Sequence, residues 1–147
     1  MAQAVPQTYE NHPRYVIGFH VVAFFFVLAN FVWSIVQLFR QRFGVASLFG
    51  VVVAVVLAQL FWYTREFATG NQDRIVRLEM KLRLEKLLPA DLAARFGEFT
   101  VGQLVALRFA SDVELPALAR KVLDEKLTDR RQIKRMVKAW QADYQRV

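Results

Sequence analysis

Side chains that could hold a metal, shuttle a proton or attack an electrophile are few in this chain: His12 and His20 are its two histidines, and it has no cysteine. A metal centre needs three or four such ligands and His-based catalysis needs a partner group, so both have little to work with. No G-x-G-x-x-G, G-x-x-x-x-G-K-[ST] or H-E-x-x-H pattern occurs, which removes the phosphate cradles and the zinc helix. Many carboxylates lie four residues from a basic group, as in Asp73 with Arg77, Glu79 with Arg83, and Glu85 with Lys81. That is the spacing of ion pairs on solvated helix faces. The residues therefore predict a non-enzymatic protein with no catalytic residue, no metal and no cofactor. A haem or chlorophyll on His20 would lack a second ligand, because Met1, Met80 and Met136 all lie outside the stretch that carries it.

What remains is the chemistry of polar and small side chains in apolar surroundings. Asn30, Ser34 and Gln37 follow at spacings of four and three, and His20 falls near the same line, so the four predict one polar face on a helix. Polar groups in hydrocarbon find hydrogen-bond partners on neighbouring helices or line a water-filled path. Ala46, Gly50, Ala54 and Ala58 recur every four residues and predict a packing stripe, against the first helix of the same chain or against another subunit.

The elements that position these residues are two uncharged stretches. Neither Tyr15 to Phe39 nor Phe43 to Thr64 contains Asp, Glu, Lys or Arg, whereas all but three of the 20 basic and all but one of the 13 acidic side chains fall in residues 65–147. The hydropathy of the chain thus separates an anchor from a charged head. A hydrocarbon core of about 30 Å needs about 20 helical residues, so residues 15–39 and 43–63 predict two spans. Both must be helices, since a lone strand pair would leave backbone groups unsatisfied in lipid. A signal peptide would carry a basic start, a shorter apolar core and small residues at a cleavage site; Phe24, Phe25, Phe26, Phe31 and Trp33 fill this one instead.

The connection through Arg40 and Arg42 is so short that the spans must be antiparallel. Arg14, Arg65, Arg74, Arg77, Lys81 and Arg83 outweigh those two on the opposite side, which predicts both termini in the cytoplasm. Tyr15 and Trp62-Tyr63 would share one interfacial layer. The predicted domains are an N-terminal tail over 1–14, a helical hairpin over 15–63 and a basic helical domain over 64–147.

In the head, the spacing predicts a helix from Asn71 to Leu88 with Ile75, Leu78 and Leu82 as its apolar line, a start or bend at Gly70-Asn71, and an end at Pro89. Thr100 with Gln103 and Ser111 with Glu114 have capping-box spacing, with Pro116 delaying the second helix by a residue or two. Thr128 is placed to cap a last helix with Ile133, Met136, Val137, Trp140 and Tyr144 inward. The fold class is all-α: a two-helix transmembrane hairpin followed by a small cytoplasmic helical bundle. A net charge of +7 favours anionic partners, and the nearest are bilayer headgroups met by Arg65, Arg74, Arg77 and Lys81. Nucleic acid is disfavoured, because the turn of a helix-turn-helix over 100–127 lacks glycine and its basic residues are spread out.

Four strings carry a resemblance: Tyr9-Glu10-Asn11-His12, the run Gly70-Asn71-Gln72-Asp73-Arg74-Ile75-Val76-Arg77-Leu78-Glu79-Met80, the run Ala106-Leu107-Arg108-Phe109-Ala110-Ser111-Asp112, and Trp140-Gln141-Ala142-Asp143. By these the chain resembles a family of small uncharacterised bacterial membrane proteins known as a domain of unknown function. The resemblance implies two spans and a cytoplasmic helical head, and brings no activity; the expected location is the bacterial inner membrane. The expected function is assembly, as a homo-oligomer or an accessory subunit of a larger membrane complex. The alternative is a small channel or transporter lined by Asn30, Ser34 and Gln37.

Overall fold

The structure is a computed structural model that describes residues 6–12 and 15–144. It is 72% helical and has no strand among the described residues. Contacts divide the chain into two compact units, Arg14–Thr69 and Met1–Pro13 with Gly70–Val147.

In the first unit, π-helical turns over Gly18–Ala23 lead directly into α1, Phe24–Arg40. The turn that follows holds Arg42 and Phe43 at φ 47° and 62°, and α2 begins at Val45. Phe43, expected to open the second span, instead lies in the turn, where its N–H bonds to the Leu38 carbonyl at 2.9 Å. Gly18–Arg40 and Val45–Leu87 are each long and apolar enough to cross a membrane.

α2 runs for 43 residues, from Val45 to Leu87, through Gly70 and Asn71 without a break. The expected start or bend there is absent. One interior glycine costs a helix only about 1 kcal/mol relative to alanine, and the Leu, Arg, Glu, Met and Lys residues that follow are good helix formers. Pro89 stops the helix as expected.

The second unit is built on the last turns of α2, with α3 (Ala90–Ala93), a 3₁₀ turn (Phe96–Glu98), α4 (Val101–Leu107), α5 (Leu115–Asp124) and α6 (Arg130–Met136). Its core gathers Met80, Leu84, Leu92, Leu104, Leu115 and Ile133, all essentially without exposure. α4 opens on the full capping box of Thr100 and Gln103. α5 begins at Leu115, with Pro116 in its first turn. The α6 cap is Asp129 rather than Thr128, its carboxylate accepting the Arg131 N–H at 2.8 Å.

Two expectations about the head are corrected. The α2 line that faces the core is Val76, Met80, Leu84 and Leu88, while Ile75, Leu78 and Leu82 are 57%, 60% and 52% exposed. Apolar residues occur on both sides of this helix, and the choice between them follows the rotation at which Arg83 reaches the loop after α4. The last helix also ends early, at Met136. Beyond it the chain is extended, Trp140 bridging antiparallel to Ala110, with Ser111 N–H donating to Ala139 O at 3.0 Å and Gln141 N–H to Phe109 O at 2.7 Å. The Glu114 carboxylate accepts the N–H groups of Lys138 and Ala139 at 3.1 and 3.2 Å, so these backbone groups are satisfied outside a helix.

Candidate functional site

In the first unit the two apolar helices pack antiparallel. Phe19 stacks on Phe61 with ring centroids 4.5 Å apart, and Ser34 and Ser47 share a cavity at the turn end. The sheltered positions of the first helix, Ala23, Val27, Phe31, Ser34 and Leu38, are spaced by three and four; those of α2, Ser47, Val51, Ala54, Ala58 and Phe61, follow the same rhythm. This is the periodicity of helices packed at a shallow crossing angle.

The small-residue stripe meets that contact obliquely. Ala54 is fully buried, Gly50 and Ala58 are half-buried, and Ala46 is exposed. A methyl group added at Gly50 would meet nothing within 4 Å, so α1 does not press on it. The polar residues also divide. Ser34 is buried and Gln37 half-buried, and with Trp33, Gln41, Ala46, Ser47 and Gly50 they line a cavity of about 270 Å³. Asn30 is exposed on the outer side, and it has no hydrogen-bond partner among the described residues. His20 is half-buried and stacked on Tyr15 at 4.8 Å. Its Nδ1 lies 3.0 Å from the Val16 carbonyl and 3.2 Å from the Val16 amide, donating to one or accepting from the other according to tautomer.

Of the basic residues assigned to headgroups, Arg65, Arg74, Arg77 and Lys81 are all exposed; Arg14 lies outside the described residues. Among the four-residue pairs, Lys81 meets Glu85 at 3.8 Å. Arg83 does not pair with Glu79. Its side chain is 19% exposed, and the guanidinium donates instead to the Asp112 carboxylate at 2.7 Å, to the Arg108 and Ala110 carbonyls at 3.0 and 2.6 Å, and to Gln141 Oε1 at 2.6 Å. Nothing in the spacing of the sequence singles out Arg83, because its partners lie 25 or more positions away.

A cleft of about 440 Å³ lies beside it, lined by Glu79, Met80, Arg83, Arg108, Gln141 and Asp143 among others. Arg108 pairs with Asp143 at 3.2 Å, stacks over the Phe109 ring at 4.7 Å, and its buried Nε has no hydrogen-bond partner among the described residues. Burial pushes its pKa below the ordinary arginine value, against the pull of Asp143, Glu79 and Asp73.

The N-terminal residues complete this region. The Gln7 side chain pairs with the Asp143 backbone in both directions, accepting its N–H at 2.8 Å and donating to its carbonyl at 3.1 Å. Lys134 donates to His12 Nε2 at 3.0 Å, which leaves His12 Nδ1 to donate to the Tyr9 carbonyl. The His12 ring lies within 6 Å of the Tyr9, Phe109 and Trp140 rings. Among the described residues no group of three His, Asp or Glu side chains is placed to hold a metal ion.

An all-helical chain with two membrane-length apolar helices and a second helical unit is a structural class shared by many functions. Its sequence places it more narrowly. A family of unknown function, DUF6526, matches residues 1–147, and the chain belongs to that family. No curated protein and no solved structure matches it.

Proposed function

We propose that this is a non-enzymatic integral membrane protein that acts by assembly, as a homo-oligomer or an accessory subunit of a larger membrane complex. The observation that carries the reading is Asn30, near the middle of the first apolar helix, exposed and without a hydrogen-bond partner among the described residues. A primary amide facing hydrocarbon has nothing to bond to, and interhelical hydrogen bonds of this kind contribute about 1–2 kcal/mol in model peptides. A helix from another copy or another subunit supplies the partner. The open space at Gly50 and the exposed Ala46 favour close approach of such a helix.

In this reading the hairpin crosses a bacterial inner membrane with both termini in the cytoplasm, and exposed Arg65, Arg74, Arg77 and Lys81 meet anionic headgroups. The contacts of Gln7 and His12 with residues 134–143 support termini on one side. A second reading, a small channel or transporter, draws on the polar cavity of Ser34, Gln37 and Ser47. A native mass of the gently solubilised protein tests the first, which expects a multiple of 17.0 kDa or a mass that includes companions. A bare monomer overturns it, and selective ion flux in proteoliposomes would favour the second.

A further inference from the structure

We infer that the exposed stripe Ile75, Leu78 and Leu82 on α2 is the seam of a short parallel coiled coil with a second copy of this chain, an inference that rests on the assembly reading. These side chains are more than half exposed although they lie within the charged unit, outside the uncharged stretch of α2. Their spacing of three and four is the a–d–a pattern of a heptad, and β-branched Ile at a with Leu at d favours two strands over three or four.

Membrane insertion fixes the direction of the pairing. α2 is one continuous helix, so two copies inserted the same way present this stripe in parallel. In a parallel pair each g residue meets the e residue of the partner's following heptad. Here g is Arg74 and the following e is Glu79, opposite charges that meet twice by symmetry. Neither has an ion-pair partner within the chain among the described residues, although Glu79 also borders the cleft of Arg108. The seam is short. Glu85 takes the next d position, and the next flanking pair would set Lys81 against Lys86. A seam of this length does not hold two free helices together, and anchoring in one bilayer supplies the effective concentration it needs.

The test uses the full chain in membranes, where the absence of native cysteine lets single thiols report. Leu78→Cys is expected to form an oxidised dimer of twice the 17.0 kDa chain mass, while Arg77→Cys, on another face, is not. Arg74→Glu or Glu79→Arg in the Leu78→Cys background should each lower the dimer yield, and the two together should restore it. Because all these positions are exposed, unfolding temperatures should stay constant, and a variant that melts early is replaced by Leu82→Cys with the same charge pair. If the unaltered protein is oligomeric by native mass but Leu78→Cys and Leu82→Cys both stay monomeric on oxidation, the seam is overturned and assembly stands. If the unaltered protein is a bare monomer, both fall. Cross-linking that ignores the charge reversals overturns the register.

Discussion

Arg83 joins three separate stretches of the second unit through one planar guanidinium, and a point charge cannot replace a fork that serves two backbone carbonyls, a carboxylate and an amide at once. Arg83→Lys is therefore expected to lower stability by about 2 kcal/mol, most of it from carbonyls left unpaired, as read by chemical denaturation in detergent. Asp112→Asn should cost less than about 1 kcal/mol, because that carboxylate is 63% exposed and water takes over as its partner. Two other carboxylates set an acid limit. The Arg120 guanidinium holds Asp91 below its usual range, and Arg95 does the same for Glu98. A carboxylate whose folded pKa is depressed contributes stability above its unfolded pKa, near 3.8 and 4.5 here, and loses it as pH falls through the lower folded value. Asp91→Asn and Glu98→Gln should each flatten the fall of melting temperature below about pH 4.5 and lower the plateau at neutral pH slightly. An unchanged acid slope would mean that these exposed pairs contribute nothing to the fold.

Among the elements, legibility followed the range of the forces that define them. The two apolar helices, the Thr100 capping box and the stop at Pro89 rest on contacts within a few residues, and all were readable from spacing. The rotation of α2 in the head, the early end of α6 and the bonding of Gln7 rest on partners tens of residues away, and local periodicity carries no trace of them. The candidate site divides in the same way: the polar and small residues of the spans were visible as faces, but which of them turn inward depended on how the helices cross. That division separates two substitutions on the same stripe. Ala54→Leu forces a branched side chain into a fully buried position and should cost about 1–3 kcal/mol in the single chain. Gly50→Leu meets no neighbour where its Cβ would sit, and should not lower the melting temperature of the chain, while it lowers the native mass of any assembly built on that face. Equal thermal losses at both sites would place Gly50 against α1. In the head, Thr100→Ala removes the acceptor for the Gln103 N–H and should cost about 1 kcal/mol. Gln103→Ala should cost more, since its side chain also accepts from Thr100 N–H and donates to the Leu127 carbonyl at 2.8 Å.

At the scale of the whole molecule, residues 7–12 and 134–143 hold one another through hydrogen bonds and stacked rings, and the two segments are separated in sequence by both apolar helices. A polypeptide that crossed a bilayer once between them would leave the segments on opposite faces, and the Gln7 amide could not reach the Asp143 backbone. In the proposed topology two crossings return them to one side, and the excess of Arg and Lys around the outer ends of the helices, compared with Arg40 and Arg42 in the turn, predicts that this side is the cytoplasm. The prediction is open to single-thiol labelling. Glu10 and Tyr144 are exposed, so Glu10→Cys and Tyr144→Cys should react with a membrane-impermeant maleimide in inside-out vesicles and stay unlabelled in right-side-out ones. Gln41→Cys, exposed in the turn between the helices, should show the reverse. Opposite labelling of Glu10→Cys and Tyr144→Cys would be incompatible with a cytoplasmic pairing of the two ends, and labelling of all three positions in the same vesicles would mean that neither helix crosses. Gln41→Arg and Phe43→Arg, together with Arg65→Gln and Arg74→Gln, should shift labelling of Tyr144→Cys toward right-side-out vesicles, because short flanks of positive charge orient a hairpin far more than the net charge of the domain it carries.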